Sequence, residues 1–104
     1  MGKQLWEAAS KGRADEVRAI VQEWGAEGSV VNWANPDDGG WTPLYAAAAE
    51  GHHECLTLLL AAPGIAVNQR VTEEPHMNKT PLAIAEQWGQ TQCAELLRKH
   101  GGSR

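Results

Sequence analysis

Apolar residues recur along this chain in short runs of helical period, and the runs come in pairs. The first member of a pair reads Leu5, Ala8, Ala9 near the start and Leu44, Ala47, Ala48 in the middle. The second member reads Val17, Ile20, Val21, then Cys55, Leu56, Leu58, Leu59, Leu60, then Cys93, Leu96, Leu97. Steps of three and four place such residues on one side of a helix, so each pair predicts two short amphipathic helices. Gly12, Gly51 and Gly89 separate the two members. That position suits a left-handed residue that ends one helix and lets the chain turn back into the next. Thr42-Pro43 and Thr80-Pro81 mark two of the starts. A threonine hydroxyl can accept from the free N–H groups of a first turn, and proline loses nothing at the first helical position.

These pairs are copies of one another. Trp41 to Asn68 aligns with Lys79 to Gly102 at an offset of 38 residues, matching Thr42 to Thr80, Pro43 to Pro81, Leu44 to Leu82, Gly51 to Gly89 and Cys55 to Cys93. The N-terminal segment matches the middle one at an offset of 39, with Leu5 on Leu44, Ala8 on Ala47, Ala9 on Ala48, Gly12 on Gly51 and Val17 on Leu56. Three units result, at about 3–34, 38–70 and 77–102, within one domain spanning 1–104. Helices of two or three turns do not hold alone, so neighbouring units must stack to bury their apolar faces. Gly64 to Asn68 and Val30-Val31-Asn32, followed by turn-forming clusters such as Asn35 to Gly40, are predicted to be extended hairpin fingers between helix pairs.

This pattern resembles the ankyrin repeat. The middle unit carries TPLYAAAAEGH, then LTLLL, then AVN, with Tyr45 in place of the histidine of the family's TPLH start. The resemblance covers about residues 3 to 102 and implies an all-α repeat solenoid of helix-turn-helix pairs linked by extended hairpin loops. The outer units look like caps, because Glu7, Arg18, Glu86, Gln90, Glu95 and Arg98 stand where internal repeats are more apolar. The units are longer than the family period. Their extra residues fall at Ala26 to Ser29, in the Asn35 to Gly40 finger and at Val71 to Met77. Insertions in a solenoid map to loops on one face, often the binding face. The Val71–Met77 loop is either a specificity element or a slack connection.

The resemblance also implies a function: a non-catalytic protein–protein interaction module, acting as adaptor, inhibitor or regulatory subunit. In that family, partners are gripped by a concave face of fingers and first helices. Carried over, the face presents Trp33, Asp38, Trp41, Tyr45, Glu50, Lys79, Gln87 and Trp88. Aromatic and charged side chains on a rigid frame are the types from which interface hot spots are built. Trp33 and Trp88 are expected to be free for this role and Trp6 and Trp24 to be packing residues; Trp41 fits either. Asn32 and Asn68 occupy the position hydroxylated in some members, although an asparagine there normally hydrogen-bonds within the finger. The alternative to an interaction module is an assembly scaffold that self-associates through a terminal unit; the first reading expects a monomer.

Composition narrows the classes further. Net charge is −4 and the nine basic residues form no run, so nucleic acid is not an expected partner. No stretch approaches the roughly 18 apolar residues of a membrane span, and the first residues lack a signal-peptide core. Two cysteines agree with a reducing compartment, which points to a soluble intracellular protein, cytoplasmic or nuclear. Cys55 and Cys93 sit at the same place in adjacent units, about 8 to 10 Å apart by helix packing, beyond the reach of a disulfide. His52-His53 falls at the turn, where the family's first ring braces the loop, and His76 and His100 have no ligands at metal spacing. Glu73-Glu74 and Asp37-Asp38 lie on loops without a buried setting. No enzyme activity, cofactor or metal is expected.

Overall fold

The helix starts form as their chemistry dictates. Thr42 Oγ1 accepts from the N–H of Tyr45 at 3.1 Å, and Thr80 Oγ1 accepts from that of Ala83 at 3.2 Å, with Pro43 and Pro81 in the first turn. Gly12, Gly51 and Gly89 have φ of 76, 78 and 72°, the left-handed conformation that a side chain would strain. In a computed structural model describing residues 1–104, these signals delimit seven helices: α1 (Gly2–Lys11), α2 (Ala14–Trp24), α3 (Gly28–Val31), α4 (Pro43–Glu50), α5 (His53–Leu60), α6 (Pro81–Gln87) and α7 (Thr91–Lys99).

The helices lie in two rows. The first helices α1, α4 and α6 pack side by side, and behind them α2, α5 and α7 do the same. One continuous core runs between the rows, with Leu5, Val17, Leu44, Leu56, Leu59, Ile84 and Leu97 wholly buried. Alanines 46 to 49 of α4 are buried on every side, which explains their size: neighbours press on this helix from α1, α5 and α6. Cys55 and Cys93 are free thiols inside this core. Burial pushes both up, Cys93 to about 11, so they stay protonated and unreactive.

Polar side chains tie each unit to the next. His52 Nε2 lies 3.2 Å from the carbonyl of Ser10, and Gln90, at the equivalent place one unit on, donates to the carbonyl of Ala49 at 2.9 Å. Asn32 donates to the carbonyl of Gly64 at 2.7 Å and accepts from the N–H of Ala66 at 2.8 Å. Asn68 repeats the clamp with the Gly101 carbonyl at 3.1 Å and the Ser103 N–H at 2.8 Å. These amides thus bond across the unit boundary rather than within their own finger.

Two expected fingers take other forms. Gly64 to Asn68 is a linker of turns, and Val30 and Val31 belong to the helical turn α3. A turn of helix drives Val31 into the core against α1 and leaves Asn32 aimed at the next linker; a strand would point the two in alternate directions. The fingers themselves span Asn35 to Trp41 and Val71 to Lys79. In the first, Asn35 N–H bonds the Trp41 carbonyl at 2.8 Å, and in the second Val71 N–H bonds the Lys79 carbonyl at 3.0 Å. The only ladder element is the isolated bridge at Asn35 and Trp41.

Candidate functional site

The fingers and the first helices enclose a groove of about 470 Å³. Its walls are Trp6 and Ser10 from α1, Ala46 and Glu50 from α4, Asp38, Gly39 and Trp41 from the first finger, and Glu74, Pro75 and His76 from the second. The first two units and the finger leading into the third therefore contribute.

Local chemistry holds these groups in place. Asn35 is buried and shapes the first finger: its Oδ1 accepts from the Asp37 N–H at 2.9 Å and its Nδ2 donates to Asp38 Oδ2 at 3.3 Å. Such an Asx turn fixes where Asp38 stands. Gly40 has φ of 76° and touches the second finger so closely that a Cβ there would lie 2.4 Å from Thr72 Oγ1. The two fingers are thereby locked side by side. Asn78, at φ of 69°, turns the second finger back, and Arg70 donates to its carbonyl at 2.7 Å.

Aromatic rings form the back of the groove. Trp41 meets Tyr45 edge to face with centroids 4.8 Å apart. Trp41, His76 and Trp88 stand 5.6 to 6.0 Å from one another, with planes inclined pairwise by 61 to 78°. Edge contacts of this kind add about 0.5–1.5 kcal/mol each beyond the area they bury. They fasten the longer second finger onto the helices, so the Val71–Met77 insertion is an ordered wall of the groove.

The expected site residues fare differently. Asp38, Trp41 and Glu50 line the groove, and Trp88, 41% exposed, flanks it against Trp41 and His76. Lys79 and Gln87 come together beside it, Nζ to Oε1 at 2.6 Å. Tyr45 is placed on this face but has no exposed surface. It supports Trp41 from behind instead of offering itself to a partner, and its hydroxyl has no hydrogen-bond partner. Burial pushes its pKa up to about 12. Trp33 is apart from the others, half-buried on Gly2 at the start of α1.

Trp6, Glu74 and His76 are groove residues that sequence reasoning did not select. The signal for Trp6 was present: it sits 39 positions before Tyr45, at the same place in its unit, and so on the same face. No comparable signal existed for His76, because only the folded finger brings its ring to Trp41. No three residues among the histidines, cysteines and carboxylates converge as a metal site would require.

Two rows of short helices with fingers folded over one row define a helical repeat solenoid with a groove on its open face. The chain belongs to the ankyrin repeat family: the family model for ankyrin repeats in three copies matches residues 5–103. Members of this family generally mediate protein–protein interaction and are typically non-catalytic. No helix of the chain is long and apolar enough to cross a membrane.

Proposed function

We propose that this chain is a protein-interaction module that seats a segment of its partner in the groove between the fingers and the first helices. The observation that carries this reading is the groove itself. Rings of Trp6, Trp41 and His76 and the carboxylates of Asp38, Glu50 and Glu74 converge on one recess, on a frame braced at every unit boundary. An adaptor, an inhibitor and a regulatory subunit would all act through such a surface, without chemistry of their own. Trp88 is the outlying anchor, with Lys79 and Gln87 at the rim.

Affinity capture from native extract tests the site, using the intact chain beside Trp88→Ala and Glu50→Arg. Circular dichroism matching the parent's is the check that both variants fold. A protein retained by the intact chain and reduced at least roughly tenfold by either change is the expected result, since truncating an aromatic anchor commonly costs 1–2 kcal/mol or more. Equal retention by all three chains would place the contact elsewhere.

A further inference from the structure

The groove's charge points to what enters it. Ten residues line the recess; three are carboxylates, Asp38, Glu50 and Glu74, and none is lysine or arginine. The salt bridges of the chain engage Asp15, Glu16, Glu54 and Glu86, all away from the groove, and leave these three carboxylates without a cation. Asp38 accepts only from the neutral amide of Asn35. Lys79, on the second finger, is held by Gln87 and does not line the recess. Like charges gathered in a partly enclosed cleft focus the potential and raise the local concentration of the opposite sign.

The aromatic wall has the same preference. Trp6, Trp41 and His76 line the recess, and Trp88 packs edge-on against the last two at its border. The face of a tryptophan ring carries negative potential and attracts an ammonium or guanidinium within about 6 Å of its centroid. Pro75 and the Trp6 ring supply apolar surface along which the methylenes of a long side chain can lie. The volume falls within the roughly 300–1,000 Å³ of small-ligand pockets, which suits one or two side chains rather than a folded surface.

We propose that the groove takes up the cationic end of an arginine or lysine side chain from a basic segment of the partner protein. This rests on the interaction-module reading and gives its partner a chemistry. An acidic segment or a phosphate backbone would meet three unneutralised carboxylates and is disfavoured by the same arrangement.

The test is a titration of the isotope-labelled chain followed by its tryptophan indole N–H resonances. The probes are acetyl-Ala-Gly-Arg-Gly-Ala-amide, its lysine counterpart, and the same peptide with citrulline, the neutral isostere of arginine. The expected result is saturable movement of the Trp41 and Trp88 signals, with Trp24 as a fixed reference. Binding of the arginine or lysine peptide should be at least roughly tenfold tighter than that of citrulline, and weaker as salt is added. The combined variant Asp38→Asn, Glu50→Gln, Glu74→Gln, all exposed positions, should abolish the difference while keeping the parent's circular dichroism. Citrulline binding as well as arginine, or no saturable shift with any peptide, overturns the proposal. If a captured partner is lost on Trp88→Ala yet kept by the neutralised variant, the binding face stands and the cation reading falls. If neither change affects a captured partner, both fall.

Discussion

Tyr45 shows how one residue serves the fold and the site at once. Its ring is wholly buried and braces Trp41, but its hydroxyl lies without a partner in the same apolar setting. An unpaired buried polar group costs about 1–3 kcal/mol. Tyr45→Phe should therefore leave stability unchanged or raise it by about 1 kcal/mol, read as the midpoint of urea unfolding; a loss above about 1 kcal/mol would mean that the hydroxyl is bonded after all. Buried acids give a second expectation. Cys93, raised to about 11, and Tyr45, raised to about 12, keep their protons in the folded chain, while the unfolded chain releases them near their ordinary values of 9.0 and 10.0. Their contribution is complete below about pH 9 and is lost as pH rises through the folded values. Unfolding midpoints should thus be flat between pH 7 and 9 and decline toward 11, and the decline should be shallower in Cys93→Ala.

At the scale of elements, what was legible in the sequence was what local chemistry decides. Thr-Pro starts and left-handed glycines act within a turn of their own position, and each does what its residue type predicts. The short helix α3 was not legible, because Val31 is turned inward by the core it meets rather than by its neighbours in sequence. The groove was half legible: Trp41 and Glu50 follow from their places in the repeat, whereas Glu74 and His76 depend on a finger folding back onto rings far along the chain. The joints between elements rest on amides such as Asn32, which makes two half-buried bonds to the following linker. Asn32→Ala should cost about 1–3 kcal/mol in thermal or urea unfolding. The exposed neighbour Ser29→Ala serves as the control and should change little.

On the scale of the whole molecule, stability belongs to the stack. Each helix pair has its apolar faces covered by the pair beside it, with α4 pressed between α1 and α6 and α5 touching α2 and α7. Removing residues 69–104 uncovers α4 and α5 together. Such a fragment should lose cooperative unfolding and much of its helical circular dichroism at 25 °C, as expected where folding energy resides in the interfaces between repeats. A sharp melt with full ellipticity would instead show that two pairs suffice.

The groove draws its walls from the first two units and the finger that follows them, and this restricts how such a chain can change over generations. Repeat proteins commonly lengthen or shorten by gaining or losing whole units, since every joint resembles the next. Here an added unit between the first and second pairs would carry Trp6 and Ser10 away from Glu50, Trp41 and His76 by one helix spacing, roughly 8 to 10 Å. The recess would open into two partial ones. Lineages that keep this recess should therefore vary at its lining residues and gain units only beyond the third pair, never between the first and the second.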